Sequence, residues 1–227
     1  MPIGFEVVGS HGSLQVDDKF ASLALRQKGS ATLVAGMYNR SCFVQITVTG
    51  DTPMFAVRAD FTVCVTGASV SGNTWTYTVL SPNGFGEESN AGKSFDWYLF
   101  DRPADLGSRS GLVVRDAQSR ITFDAAQKYA RVRGIMSVGD GDPPSVEFGS
   151  GILACVTTRI SIITAVSTVV PGSRYTYDVS FRGFATQGTA VTCKGWLAHH
   201  QDNAIAPDGP YPNLRTGEVL VLDVTNY

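Results

Sequence analysis

Gly4-Phe5-Glu6-Val7, continuing through Leu14, Val16 and Asp17 to Leu25-Arg26, lies without a gap over Gly111-Leu112-Val113-Val114 and onward to Val132-Arg133. Gly4 matches Gly111, Val7 matches Val114, Asp17 matches Asp124 and Arg26 matches Arg133. The apolar places agree too: Phe5 with Leu112, Leu14 with Ile121, Val16 with Phe123 and Leu25 with Val132. Self-similarity at a fixed spacing marks a structural unit used twice. Here the spacing is close to half of the 227 residues.

Outside the repeat, apolar and polar residues alternate with period two, the signature of a half-buried strand. Cys42, Val44, Ile46 and Val48 share one face against Phe43, Gln45, Thr47 and Thr49. Phe61, Val63 and Val65 alternate with Thr62, Cys64 and Thr66, so Cys42 points with the apolar set and Cys64 against it. Two further stretches look alike, Trp75-Thr76-Tyr77-Thr78-Val79 and Tyr175-Thr176-Tyr177-Asp178-Val179. Each half closes on an apolar run ending in Asp, Trp97 to Asp101 and Val219 to Asp223. Gly50-Asp51-Thr52-Pro53, Ser71-Gly72-Asn73, Ser81-Pro82-Asn83-Gly84 and Pro171-Gly172-Ser173 suit short turns. Helical signal is sparse, and Asp17 and Asp124 read as turn residues between strands. The expected fold is all-β, with two related β-sandwich-like units, 1–107 and 108–227, from an internal duplication. Packing about a pseudo-two-fold axis is one arrangement this allows. If the Trp75 and Tyr175 stretches are counterparts, the second unit carries an insertion near 183–217.

Composition narrows the function classes. Lys plus Arg number 18 against 20 Asp plus Glu, for a net charge of −2. The first unit holds 7 basic and 10 acidic residues, the second 11 and 10. Neither is the cationic footprint that binding to a phosphate backbone requires, so no nucleic-acid partner is expected. The longest apolar run, Ile160 to Val170, is interrupted by Ser161, Thr164, Ser167 and Thr168 and reads as a strand, so no membrane insertion is expected. The start, Met1-Pro2-Ile3-Gly4, has neither the basic nor the apolar segment of an export signal. Cys42, Cys64, Cys155 and Cys193 form no CxxC pair and no zinc spacing, and free buried thiols are expected.

Catalytic and metal signals are weak. His11 sits in a turn-like Ser10-His11-Gly12-Ser13. His199 and His200 are adjacent on a strand, so they face opposite sides and cannot readily share one ion. Asp140-Gly141-Asp142 lacks the spaced oxygens of a calcium loop. Glu87-Glu88 are neighbours rather than a separated acid pair. There is no nucleophile elbow, phosphate loop or HExxH, and Gly149-Ser150-Gly151 reads as a joint before a strand. No catalytic residue, metal or cofactor is therefore expected. Binding is assigned instead to the polar loops 84–93 and 201–216, with Phe85, Trp196 and Tyr211 as aromatic contacts.

Gly4-Phe5-Glu6-Val7 with Leu14 to Asp17, then Tyr98-Leu99-Phe100-Asp101-Arg102-Pro103, a short Gly/Ser linker, Gly111-Leu112-Val113-Val114, Ile121 to Asp124 and Lys128-Tyr129 together resemble a family of tailed-bacteriophage proteins of the tail tip or tail fibres. The resemblance covers residues 1–30 and 95–133 and is faint elsewhere. It implies a virion protein made in the host cytoplasm, oligomeric in the particle. It implies contacts with other tail proteins and with a host surface receptor or glycan, and no enzymatic residues. The expected function is structural, aiding tail assembly or host attachment. A carbohydrate-binding module is one alternative; an enzyme acting on polysaccharide, through acids such as Glu87, Glu88, Asp140 and Asp142, is another.

Overall fold

The structure, a computed structural model, describes residues 6–8, 14–17, 21–84, 88–109, 111–138, 145–170, 174–204 and 216–227; side chains are not described for 6–8, 14–17, 166–170, 174–175 and 203–204. Among the described residues the fold is all-β. The strands of the first half are β1 (Glu6–Val8), β2 (Leu14–Asp17), β3 (Ala24–Thr32), β4 (Val34–Ala35), β5 (Ser41–Thr49), β6 (Met54–Arg58), β7 (Cys64–Ser71), β8 (Thr74–Pro82) and β9 (Ser94–Asp101). Those of the second half are β10 (Val113–Arg115), β11 (Ile121–Asp124), β12 (Arg131–Val138), β13 (Ser145–Glu147), β14 (Leu153–Arg159), β15 (Ser161–Val170), β16 (Arg174–Gln187), β17 (Ala190–Ala204) and β18 (Gly217–Asp223). The alternation in Cys42–Thr49 becomes β5, with Cys42, Ile46 and Val48 buried and Gln45, Thr47 and Thr49 exposed.

A six-stranded antiparallel sheet in the order β12-β18-β14-β6-β9-β3 runs through both halves. From either edge inward it presents the same sequence of positions: the strand after the hairpin, the last strand of the half, then a middle strand. Two four-stranded sheets, β4-β5-β8-β7 and β13-β17-β16-β15, complete the layers. In each, one hairpin (β7–β8 or β16–β17) pairs through its second strand with an earlier strand (β5 or β13). The strand order therefore has an approximate two-fold symmetry, in which β4 and β15 lack counterparts.

The repeat governs register as well as order. Glu6 pairs with Asp17 and Val7 with Val16, with an irregularity before Val8 opposite Leu14. Val113 pairs with Asp124 and Val114 with Phe123, with the same irregularity before Arg115 opposite Ile121. The correspondence continues into the next strands. Ala24 pairs with Asp101 and Leu25 with Phe100, and the ladder then skips Arg26. Arg131 pairs with Asp223 and Val132 with Leu222, and the ladder then skips Arg133. Matched arginines thus occupy matched β-bulges. The segments before these strands pair with each other: Ala130 N donates to Leu23 O at 2.9 Å and Leu25 N to Lys128 O at 2.7 Å, and Ala24 bridges Tyr129. Leu23 and Ala130 are each other's counterparts in the repeat, which is the pairing a local two-fold produces.

Matching Trp75–Val79 with Tyr175–Val179 does not survive. Trp75–Val79 lies on β8, but Tyr175–Val179 lies on β16, whose counterpart is β7. An aromatic-Thr-aromatic alternation fits any half-buried strand and identifies none. Residues 183–204 belong to the long β16–β17 hairpin, and the strand without a first-half counterpart is β15.

The largest core joins both halves. Leu33, Phe55, Val63, Val79 and Leu99 pack in one cluster with Met136, Leu153, Phe184, Val191 and Val221. A second cluster covers the other face of the six-stranded sheet, with Phe100, Ala154 and Leu222 near Tyr227. A third lies between the two four-stranded sheets, where Cys64 and Leu80 meet Phe181 and Trp196. Cys42 and Cys64 fall in different clusters, as their alternation requires, and no disulfide joins any of the four cysteines. Burial raises the Cys64 thiol to about 12 and also pushes Cys155 upward.

Candidate functional site

The segment leading from β6 to β7 crosses the β16 strand of the other half. Val63 and Phe184 exchange two backbone hydrogen bonds of 2.9 Å, and Thr186 donates its N–H (2.6 Å) and its hydroxyl (3.0 Å) to Ala59 O. The approach is close enough that a Cβ on Gly183 would stand 2.3 Å from Val63 O, so only glycine fits there. Beside this seam opens a cleft of about 650 Å³.

Asn90, only 5% exposed, forms part of its wall. Its backbone N–H donates to Pro82 O at 3.1 Å, and its Nδ2 donates to Ser81 Oγ at 2.9 Å. Ser81 Oγ in turn donates to Thr62 O at 2.5 Å. This chain fixes the amide in one orientation, and no described residue donates to its Oδ1. Phe61, packed against the main core, adds apolar surface, with Lys93 Nζ 5.5 Å from its ring centre. Lys93 is also paired with Glu88 at 2.9 Å. From the second half come Gln187, whose Nε2 donates to Asp60 O at 3.3 Å, and Thr192, which donates to Ala185 O at 3.5 Å. Lys194 and Asp60 also line the cleft.

The aromatic assignment needs correction at Trp196. It is 4% exposed, midway along β17, and packs on Phe181 with ring centres 5.9 Å apart. Its Nε1 donates to Ser41 Oγ at 3.3 Å. The segment is a continuous strand rather than a loop, and Trp196 and Ala198 alternate into the third cluster. Phe85 and Tyr211 lie outside the described residues, as do His11, Glu87, Asp140, Asp142 and residues 205–215. Residues 201–204 continue β17, and residues 88–93 border the cleft.

His199 and His200 face opposite sides, as adjacent strand residues do. His199 packs near Tyr38 and Tyr177, with its Nδ1 buried and without a hydrogen bond. His200 presents Nδ1 to Asp178 Oδ1 at 2.6 Å and Nε2 to Asp202 Oδ2 at 3.3 Å. The hydrogen bond to Asp178 chiefly raises its pKa; partial desolvation opposes the shift and Asp202 reinforces it. Asn39 ties the β4–β5 connection to this strand: Nδ2 donates to His200 O at 2.6 Å and Oδ1 accepts from His200 N at 3.1 Å. No group of three or more metal-ligating side chains occurs among the described residues.

Sequence reading singled out the loop containing Asn90 but missed Phe61, Gln187 and Thr192. Phe61 is far in the chain from Gln187 and Thr192, which share the β16–β17 hairpin, and they become neighbours only because one half crosses the other. The fold and site define an all-β scaffold with a polar surface cleft at the seam of its halves. No protein-family model matches the sequence, and no curated protein or solved structure matches it.

Proposed function

We propose that this chain is a structural component of a bacteriophage tail, in the tip or fibre region, aiding assembly or host attachment. Its partners on this reading are other tail proteins, in an oligomeric particle, and a host receptor or glycan. The chain was produced by an internal duplication whose two units, 1–107 and 108–227, remain joined. The observation that carries the reading is the use made of the phage-like stretch. Two of its contacts brace the halves against each other, Ala104 with Gln127 and Asp105 with Arg115, and the others fix corners within each half. Asp101 accepts the N–H groups of Asp51 (2.7 Å), Thr52 (3.1 Å) and Arg102 (2.7 Å). In the linker, Ala104 N donates to Gln127 Oε1 at 3.0 Å while Gln127 Nε2 donates to Ala104 O at 2.7 Å. Ser108 donates to Asp124 at 2.8 Å, and Arg115 pairs with Asp105 at 2.9 Å. Tyr129 donates its hydroxyl to Asp124 O at 3.0 Å and accepts the Asp124 N–H at 2.6 Å. A stretch spent on bracing suits a particle component, whose work is to hold geometry under load, and many copies multiply weak contacts into avidity.

Quantitative mass spectrometry of purified virions carrying the gene tests this. The chain should be present at a fixed stoichiometry commensurate with tail symmetry. Its absence from washed particles would overturn the reading.

A further inference from the structure

We propose that the seam cleft between residues 60–62, 88–93 and the β16–β17 hairpin binds an uncharged saccharide. This deepens the tail reading by giving its glycan contact a site, and it stands on the geometry of the cleft, so that the two can be tested apart. A volume of about 650 Å³ falls within the roughly 300–1,000 Å³ of small-ligand sites. The chemistry of the wall selects the ligand class. Saccharides carry hydroxyls that both donate and accept, next to patches of C–H. They are held by planar polar groups fixed in orientation, together with apolar surface.

Asn90 supplies such a group: a side chain nine-tenths buried, its Nδ2 committed to Ser81, its Oδ1 taken by no donor among the described residues. Orienting an amide beforehand removes the ordering cost that a surface amide would incur on binding. Gln187 and Thr192 add an amide and a hydroxyl on the opposite wall, and Phe61 adds the apolar surface. The charges argue against an anionic ligand. Lys93 and Lys194 are matched in number by Asp60 and Glu88, and Lys93 is already paired with Glu88 at 2.9 Å. A cleft with balanced charge has no net field to concentrate phosphate or sulfate.

The test uses the purified full chain on an array of neutral and N-acetylated oligosaccharides, with sulfated and phosphorylated oligosaccharides as the anionic arm. Titration calorimetry then follows the strongest neutral ligand. The expected result is binding to at least one uncharged oligosaccharide. Phe61→Ala and Asn90→Ala should each weaken it tenfold or more, and Lys28→Ala, remote from the cleft, should leave it unchanged. Asn90→Ala also removes a hydrogen bond within the fold, so Gln187→Ala provides a second variant on the far wall, with a threefold or greater loss expected. No uncharged ligand on the array, preference for the anionic arm, or full affinity in both Phe61→Ala and Gln187→Ala would each overturn the proposal. These results are independent of virion content, so this proposal and the tail reading can fail separately.

Discussion

Asp101 and Asp223 end the last strand of their respective halves, and both are buried, at 5% and 4% exposure. Each is wrapped by the turn that leads into the middle strand of its half, and each turn brings a glycine against the carboxylate. A Cβ on Gly50 would lie 2.5 Å from Asp101 Oδ2; one on Gly151 would lie 3.2 Å from Asp223 Oδ1. The carboxylates are satisfied differently. Asp101 is held by three backbone N–H groups. Opposite it stands Ala24, where the second half has Arg131. Asp223 instead takes Arg131 at 3.2 Å, Arg133, and the Thr225 N–H at 2.9 Å. Burial alone would raise its pKa, but Thr225 and the two arginines outweigh this and hold it at about 2. The same corner has thus been solved once with backbone dipoles and once with cations. Position in the fold requires a buried carboxylate with close backbone around it, but leaves the identity of the donors open.

The contrast can be broken most directly at the glycines. Gly50→Ala should cost about 3 kcal/mol, because the added carbon meets a fixed carboxylate and, at 3.0 Å, Pro53. Gly151→Ala should cost about 1–2 kcal/mol, mainly through its φ of +129°. Urea unfolding of both variants checks the order; a larger loss at Gly151 would show that the two corners are not equivalent. Next come the carboxylates. Asp101→Asn should cost about 2 kcal/mol at any ionic strength, since it turns an acceptor of several N–H groups into a partial donor. Asp223→Asn should cost about 1–2 kcal/mol in dilute buffer and less in 1 M salt. Its arginine partners are 48% and 39% exposed, so their attraction is screened. Equal salt dependence in the two variants would erase the distinction.

Acid should separate the corners further. The Asp223 pKa is depressed on folding, so its contribution is complete above the unfolded value of about 3.9. It is lost as pH falls from there through about 2. Acid unfolding of Asp223→Asn should therefore be flatter than that of the parent over this window. The smallest effect is expected at His200, whose pKa is raised. Its contribution is complete below about 6.5 and is lost as pH rises through the folded value above that. Proton NMR titration should find His200 titrating above an ordinary histidine, with the shift diminished in Asp178→Asn.

Strands were legible where a local pattern decides them. The alternation of Cys42–Thr49 and the run Ile160–Val170 became strands, and the repeat from Gly4 to Arg26 carried hairpin register and bulge position across to Arg133. Position within the fold was not legible from alternation, because Trp75 and Tyr175 occupy similar half-buried surfaces on strands of different rank. Trp196 was misplaced for a related reason. In sequence it reads as an aromatic contact of a binding surface, whereas its neighbours across β16 and β5 close over it. The cleft was legible only as its 84–93 loop, because its other wall is supplied by a strand almost a hundred residues away.

The continuous sheet has a further consequence for solubility. Because the halves meet in its middle, its two edge strands, β3 and β12, are counterparts, and their starts cover each other: Leu25 N donates to Lys128 O and Ala130 N to Leu23 O. Open edges invite strand addition from other chains. Both edges carry a bulge at an arginine, Arg26 and Arg133, and cations beside it, Lys28 and Arg131. Beyond that mutual cover, a bulge and a neighbouring cation on each edge strand discourage strand addition from other chains.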